Sequence, residues 1–226
     1  MDSPRSKFVL SVNRHGFVKT VARSAYTRIR RLIPLEVCGV HVRNSEVHDT
    51  PHVEGYVTRP VESYEEFLTK LSPELQGLGN VDEAFTRNDL CIANFFNEQI
   101  VGYCFYTQHS TKVEDDVVFV VPAHHVYIYM ARTATTHRGR RLDPERWKAS
   151  QQLRAQTYGE GVPSIWYIDL FNYESLASNK SGSYTTNFVW VGYSCRFKMF
   201  GKWFTFRTRS CKRYGTGFVT TETLTE

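Results

Sequence analysis

The stretch that most restricts the fold lies between His124 and Gly159. An apolar segment, "HHVYIYMA", runs into "RTATTHRGRRLDPERW" and then into a long helical pattern. Asp143 and Pro144 have the residue types of an N-cap and a first helical position, which predicts a helix from Pro144 to Tyr158 that ends at Gly159. A basic turn at a helix N-terminus can bind an anion, because its amides are unpaired and the helix dipole is positive there.

Strand and helix patterns alternate over the rest of the chain. "LCIANFF" and "IVGYCFYT", joined by Asn97-Glu98-Gln99, predict a hairpin. "SIWYIDL" is a short, nearly continuous apolar run, as expected for a strand buried on both faces. An acidic helix is predicted from about Pro60, and two long strands, "FVWVGYSCRF" and "KWFTFRTR", follow near the C-terminus. Hairpins that alternate with crossover helices predict an α/β fold with a mixed sheet.

The N-terminal segment predicts an amphipathic helix over residues 16–33, which Pro34 ends. Its apolar side chains recur at spacings of three and four: Val18, Val21, Ala22, Ala25, Ile29, Leu32 and Ile33. The main interpretation is a helix that packs its apolar face on the domain and leaves a basic face in water. The alternative is a basic helix that contacts an anionic membrane or an acidic partner. Three regions follow: a basic helical extension over 1–35, a domain over 36–213 and a polar tail over 214–226.

Charge and cysteine usage restrict the class of protein. Residues 1–31 hold eight Lys or Arg side chains and one acid, although the whole chain carries a net charge of only +5. The five cysteines show neither a CxxC motif nor a Cys/His spacing, which indicates reduced, structural thiols and no metal site. No apolar leader or run of about 20 apolar residues is present, so a cytoplasmic protein is expected.

Four segments of the chain together resemble the GCN5-related N-acetyltransferase (GNAT) superfamily. "CIANFFNEQIVGYCFY" is similar to its central hairpin, and "VYIYMARTATTHRGRRL" to its signature strand, turn and helix start. "YIDLFNYESLASNKSG" is similar to the next strand, Asn and short helix, and "VGYSCRF…FGKWFTF" to the closing hairpin. The resemblance covers roughly Val37 to Arg209. It implies an α/β (α+β) fold with a mixed, mostly antiparallel central sheet flanked by helices, preceded here by the basic helix.

The resemblance also implies a site for acetyl-CoA or a longer acyl-CoA. In the superfamily the turn reads Arg/Gln-x-x-Gly-x-Gly/Ala and binds the pyrophosphate of coenzyme A. With Arg138 at the first position, the small positions are occupied by Arg141 and Asp143. Arg141 can contact phosphate itself, whereas the Asp143 carboxylate is expected to repel it. The implied cofactor-binding residues are Ala131, Arg132, Thr133, Arg138, Gly139, Arg140, Arg141, Leu142, Asn172 and Ser175.

Acid and base residues are harder to assign. Many superfamily members carry a Tyr seven residues after the Asn of the short helix, and here that position is Asn179. Tyr184 is the nearest substitute by sequence, His125 has the side chain most often used for general acid–base catalysis, and Asp169 ends the strand that follows the long helix. These three are the catalytic candidates, each with a structural alternative: packing for Tyr184, a strand-entry hydrogen bond for His125, and a turn cap for Asp169.

The resulting hypothesis is an acyl-CoA-dependent N-acyltransferase whose amine acceptor attacks the thioester directly. Acyl carrier protein is an alternative donor, because basic patches suit its acidic surface. The acceptor is expected to be an amine-bearing small molecule or modified sugar, and the protein a monomer or dimer. A second hypothesis is a catalytically degenerate GNAT-like binding or regulatory protein in a bacterial cell-surface or polysaccharide pathway. A third hypothesis is nucleic-acid binding through "RFKMFGKWFTFRTRSCKR". Alternating charged and aromatic residues are, however, typical of any closing hairpin of a sheet. No nucleic-acid partner is therefore expected.

Overall fold

The computed structural model describes residues 11–13, 15–43, 52–77, 81–176 and 188–224. The helices are α1 (Phe17–Leu32), α2 (Tyr64–Lys70), α3 (Val81–Thr86), α4 (Leu142–Tyr158) and α5 (Arg209–Tyr214). The strands are β1 (Leu35–Arg43), β2 (Val57–Pro60), β3 (Leu90–Phe96), β4 (Gln99–Thr107), β5 (Thr111–Glu114), β6 (Val117–Val120), β7 (Val126–Thr133), β8 (Ser164–Asp169), β9 (Phe188–Met199), β10 (Lys202–Arg207) and β11 (Gly217–Thr220).

Eight strands form the main sheet in the order β10-β9-β1-β8-β7-β4-β3-β2. Every neighbouring pair is antiparallel except β7 and β8. The predicted mixed, mostly antiparallel sheet flanked by helices is therefore confirmed. Its central hairpin turns at Asn97 and Glu98, whose φ values of 48° and 63° are those of a two-residue hairpin turn.

The position of β1 in the strand order cannot be predicted from local sequence patterns. It lies between β8 and β9 and pairs antiparallel with both, with Cys38 opposite Asp169 on one side and Ser194 on the other. The closing hairpin of β9 and β10 therefore reaches the rest of the sheet only through β1. The segment that joins the N-terminal helix to the domain is thus a central strand of the sheet.

A second, three-stranded sheet has the order β11-β6-β5 and covers part of the main sheet. The predicted polar tail over 214–226 is wrong for its middle part, because β11 pairs with β6 and Phe218 is fully buried. Phe218 contacts Phe119 and Tyr167, with ring centroids 5.6 and 5.0 Å apart. Burial of this aromatic ring stabilises the fold. The threonine-rich sequence around it predicted a polar tail instead.

The core lies mainly between the main sheet, the helices α2 and α3, and the small sheet. Its fully buried aromatic side chains are Phe67, Tyr103, Tyr106, Phe105, Phe119, Tyr127 and Phe218. All five cysteines are free thiols, and four of them are buried. Burial raises the pKa of the Cys38, Cys91 and Cys104 thiols, which makes them poor nucleophiles and agrees with a structural role.

The acidic helix begins at Tyr64, not near Pro60, because residues 57–60 form the edge strand β2. Ser63 accepts a hydrogen bond from the Glu66 amide, and the Glu66 carboxylate accepts one from the Glu62 amide. This pair is a variant of the capping box, in which the Glu66 carboxylate bonds the amide one residue before the N-cap Ser63. None of the helices among the described residues is long and apolar enough to cross a bilayer.

Glu66 should make the stability of this protein depend on acidic pH. A hydrogen bond from Arg59, at 2.6 Å, is the main cause that lowers the pKa of Glu66 to about 2. A lowered folded-state pKa stabilises the fold above the unfolded value of about 4.5, and this contribution is lost as the pH falls towards 2. We expect Glu66→Gln to cost on the order of 1 kcal/mol near neutral pH, because the pair is partly solvated.

Urea unfolding at a series of pH values checks this expectation. The Glu66→Gln variant should lose less free energy of unfolding than the parent as the pH falls from about 4.5 to about 2. Glu65→Gln, on the exposed side of the same turn, is the matched control and should keep the parent's acid dependence. Equal acid dependence in the parent and Glu66→Gln would contradict the assignment.

Candidate functional site: an opening between two parallel strands

The strands β7 and β8 separate along their length. Parallel pairing is confined to Val126 opposite Ser164 and Tyr127 opposite Ile165. Beyond these pairs β7 stays bonded to β4, and β8 stays bonded to β1 as far as Asp169. The two strands therefore diverge, and their facing edges carry backbone groups that no ladder pairs. Such groups bind water or a ligand, since backbone donors and acceptors seldom stay unpaired.

A bulge in β7 directs its last residues away from β8. The register against β4 shifts between Tyr103 and Phe105, and Met130 has a left-handed φ of 51°. An extra residue in one strand bends it and re-aims the side chains that follow. Ala131 and Arg132 are exposed at this point. The bulge thus widens the opening at the residues that the resemblance assigns to an acyl-CoA arm.

The hydrogen bond of Ala134 shows in which direction the Thr133 amide and carbonyl point. The Ala134 amide donates to the Val101 carbonyl at 2.8 Å, on the side of β4. Because backbone groups alternate sides along a strand, the Thr133 amide and carbonyl face the side of β8. The Arg138 Nε donates to that carbonyl at 3.1 Å, so the Arg138 side chain lies at the mouth of the opening.

The turn after β7 leads into the helix α4 with two left-handed residues. Gly139 has φ of 79°, and Arg141, the residue before the helix, has φ of 59° and ψ of 32°. The side chains of Arg138, Arg140 and Arg141 are exposed, as is Gly139. No side chain caps the helix at its N-terminus. The turn therefore combines three exposed cations with uncapped helix amides, which favours an anion.

The predicted start of this helix is wrong by two residues. The helix begins at Leu142, with Arg141 as its N-cap, so Asp143 lies in the first turn and Pro144 one position further on. Both residue types are also favoured in a first turn, which explains the error. The C-terminal prediction is confirmed, since the Gly159 amide donates to the Ala155 carbonyl at 3.0 Å.

Asp143 is held by a buried arginine that sequence reasoning missed. Arg146 is 2% exposed, and its Nη2 donates to the Asp143 carboxylate at 2.9 Å. It also donates to Asn94 Oδ1 on β3 and to Thr133 Oγ1 on β7. Gly102 makes room for it, because a Cβ there would lie 2.5 Å from Arg146 Nη1. The expected repulsion of phosphate by Asp143 is therefore reduced, since this arginine offsets its charge.

Neighbouring contacts fix the turn and the first turn of α4. Glu74 accepts hydrogen bonds from the Thr135 amide and the Thr136 hydroxyl, both at 2.7 Å. The Tyr56 hydroxyl lies 2.8 Å from His137 Nδ1. On the helix, buried Glu145 accepts a hydrogen bond from Thr58 at 3.0 Å. These contacts hold the basic turn at the end of the opening.

Across the opening, Asp169 anchors the segment that follows β8. Its Oδ1 accepts from the Phe171 amide at 2.8 Å, and its Oδ2 from the Tyr26 hydroxyl at 3.2 Å and from Arg30 at 3.0 Å. All these partners are structural, so the carboxylate acts as a turn cap and as an anchor for α1. Asn172 begins a short helix at residues 173–176, where its Oδ1 accepts from the Ser175 amide at 3.2 Å.

Of the other two catalytic candidates, the structure describes only His125, which lies away from this place. His125 lies before β7, at the closed end of the strand pair, roughly 25 Å from Thr133 along the strand. It contacts the Ala123 carbonyl at 2.9 Å and the Tyr214 hydroxyl at 2.5 Å, as a strand-entry histidine would. Tyr184 lies outside the described residues. Asp169 and His125 therefore cannot act on one bound substrate together.

A groove of about 600 Å³ lies elsewhere, at the start of β3 and the end of α4. Its lining includes Glu62, Asp82, Asp89 and Thr157. An extended thioester arm fits between strands and needs no rounded cavity of this kind. Among the described residues no group of His, Cys, Asp and Glu side chains could hold a metal ion.

Comparison with known proteins gives similarity of fold alone. No protein-family model matches the chain. No curated protein sequence is significantly similar to it. A tandem GNAT protein from the clavulanic acid biosynthesis pathway is 14% identical, with 81% of this chain and 58% of that chain covered and a TM-score of 0.47.

Two further solved structures give similar values. A GNAT-family acetyltransferase from Colwellia psychrerythraea is 10% identical, with 77% and 56% covered and a TM-score of 0.46. A GCN5-related N-acetyltransferase from Kribbella flavida is 12% identical, with 64% and 53% covered and a TM-score of 0.40. The chain spans little more than half the length of these proteins. These structures are similar to the chain in fold alone, and the resemblance to the GNAT superfamily rests on the sequence segments that carry it.

Proposed function

We propose that this protein is an acyl-CoA-dependent N-acyltransferase. The observation that carries the proposal is the divergence of β7 from β8 directly beside the basic turn at residues 138–142. The opening supplies a strand edge for the amide groups of a pantetheine arm. The turn supplies cations and helix amides for the pyrophosphate at the other end of the same donor.

The reaction asks for orientation more than for acid and base side chains. The acceptor nitrogen attacks the thioester carbon, the carbon–sulfur bond breaks, and an amide and a free thiol form. The nitrogen loses a proton to solvent, and the leaving thiolate gains one. A backbone amide on the open edge of β7, at Ala131–Thr133, would stabilise the negative charge that develops on the thioester oxygen. Holding both reactants in place accounts for much of the acceleration.

The charges around the opening suit two classes of donor. The three exposed arginines of the turn suit coenzyme A, and they also suit the acidic surface of acyl carrier protein as an alternative donor. The acceptor is proposed to be a small molecule or modified sugar with a free amine.

A second function has one specific observation in its favour. Asp169, at the end of β8, already accepts hydrogen bonds from Phe171, Tyr26 and Arg30, and His125 lies at the closed end of the strand pair. Such an arrangement is also expected of a GNAT-like protein that binds the cofactor without turnover. Both readings share the binding site and differ only in catalysis.

Binding and turnover should therefore be measured separately. We expect acetyl-CoA to raise the unfolding temperature, since a ligand at about 100 times its dissociation constant adds roughly 2.7 kcal/mol. Turnover is then followed by mass spectrometry of a panel of primary amines and amino sugars, with acetyl-CoA, longer acyl-CoAs and acyl carrier protein as donors. Amide formation supports the enzyme, and binding without any amide product supports the non-catalytic alternative.

The control is adenosine 3′-phosphate 5′-diphosphate, which has the nucleotide and the pyrophosphate of coenzyme A but no pantetheine arm. It should bind more weakly than acetyl-CoA, because it cannot enter the opening. No stabilisation by acetyl-CoA, a longer acyl-CoA or acyl carrier protein would contradict the proposed function.

A further inference from the structure

The helix α1 lies on the domain with the face opposite to the one that its sequence predicts. Its contacts with the domain come from polar side chains: Tyr26 bonds Asp169 and the Val37 amide, Arg30 bonds Asp169, and Arg23 bonds Glu174 at 3.1 Å. Tyr26 also stacks on Phe171, with ring centroids 4.1 Å apart. The predicted packing of the apolar face on the domain is therefore wrong.

The apolar stripe of α1 is exposed as a result. It consists of Phe17, Val18, Val21, Ala22, Ala25, Ile29 and Leu32. Val18 is 78% exposed and Leu32 is 84% exposed. At 3.6 residues per turn these side chains occupy one side of the helix, and Tyr26, Arg23 and Arg30 occupy the other. An exposed run of apolar side chains this long usually marks a binding surface.

A second exposed apolar element lies beside the end of this helix. The Lys198 amide donates to the Pro34 carbonyl at 2.8 Å, which places the turn between β9 and β10 next to the C-terminus of α1. Phe200 at that turn is 91% exposed, and Met199 is exposed as well. Helix and turn together form what we call the α1 surface: the stripe of α1 together with Met199 and Phe200.

The charges around the α1 surface are basic. Arg28 and Arg31 are exposed on α1 and flank the stripe, and Lys198 and Lys202 flank the turn. From Gly16 to Leu35 the sequence contains no acidic residue. Arg23 and Arg30, by contrast, are held by Glu174 and Asp169 on the domain side. The cations beside the stripe are thus available to an outside partner.

We propose that the α1 surface docks this protein on an anionic lipid bilayer. The helix lies in the plane of the membrane, its stripe enters the boundary between headgroups and acyl chains, and Arg28 and Arg31 contact lipid phosphates. Phe200 inserts beside it. The polar contacts through Tyr26, Arg23 and Arg30 leave the stripe facing the lipid. This docking does not depend on the proposed acyl transfer.

Vesicle flotation of the full chain tests the proposal. The protein should float with vesicles of equal parts phosphatidylglycerol and phosphatidylcholine, and much less with pure phosphatidylcholine. We expect Val18→Ser with Leu32→Ser to weaken binding about tenfold or more, because two large apolar side chains no longer enter the bilayer. Arg28→Glu with Arg31→Glu should weaken binding to the anionic vesicles by a similar factor and remove most of its salt dependence.

Matched controls separate docking from folding and from self-association. Val57→Ser with Leu68→Ser removes two comparably exposed apolar side chains from another face and should leave flotation unchanged. Unfolding temperature and sedimentation velocity are measured on every variant. The proposal is overturned if the parent does not float, or if Val18→Ser with Leu32→Ser floats equally well. It is also overturned if that variant unfolds much earlier or only dissociates a dimer, because the chain itself or a second copy then covers the stripe.

Discussion

Arg146→Ala should lower the free energy of unfolding by about 3–5 kcal/mol, the largest effect of any single substitution considered for this chain. The change removes a fully buried side chain that links α4 to β3 and β7. It leaves Asn94 Oδ1, also buried, without its donor, and it opens a cavity where the guanidinium lay. Urea unfolding followed by circular dichroism measures the loss.

Two further variants show which part of Arg146 matters. Arg146→Lys keeps the charge but cannot donate in several directions, so an intermediate loss is expected. Gln152→Ala, an exposed change on the same helix, should stay within about 0.5 kcal/mol of the parent. Equal stability of Arg146→Ala and the parent would refute the role of this side chain as the support of the turn.

Arg140→Ala with Arg141→Gly should weaken acyl-CoA binding about 100-fold while the protein stays folded. Each charge-assisted hydrogen bond to phosphate contributes about 1.5–3 kcal/mol, and the double variant removes two of them. Glycine is chosen at position 141 because the left-handed backbone there, with φ of 59°, disfavours other residues. Calorimetric titration with acetyl-CoA gives the two dissociation constants.

The matched control removes the same amount of charge elsewhere. Arg28→Ala with Arg31→Ala, on α1, should leave acyl-CoA affinity within about twofold, because screening at ordinary ionic strength limits distant charges. If both double variants lose affinity equally, the arginines of the turn act only through net charge and the proposed pyrophosphate site is wrong. The turn variant should conversely float with anionic vesicles as the parent does.

The structure changes the expected effect of replacing Asp143. By sequence it is the residue that most weakens an anion site, and replacing it by alanine should strengthen phosphate binding. In the fold it neutralises Arg146 at 2.9 Å. Its removal therefore leaves a buried cation with no carboxylate partner among the described residues, which costs stability. Asp143 and Arg146 are only three residues apart, but the sequence of α4 does not show that the Arg146 side chain points into the core.

Features that depend only on neighbouring residues could be predicted from the sequence. The hairpin at Asn97 and Glu98, the end of α4 at Gly159 and the helix that stops before Pro34 follow from local turn and cap preferences, and all three are confirmed. The basic turn after β7 is likewise where the motif places it. The start of α4 was predicted wrongly because Asp143 and Pro144 are favoured within a first turn as well as at a helix start.

Which strands pair, and which face of a helix packs on the domain, depends on contacts between distant parts of the chain. The pattern of "LEVCGVHVR" predicts a strand but cannot specify that it lies between β8 and β9, because pairing with residues more than 100 positions away leaves no local mark. Helix periodicity likewise identifies the apolar stripe of α1 but not the direction in which it faces. That direction is set by the contacts of Tyr26, Arg23 and Arg30 with the segment after β8. These polar bonds join residues 139 to 151 positions apart, so the periodicity of the helix cannot indicate them.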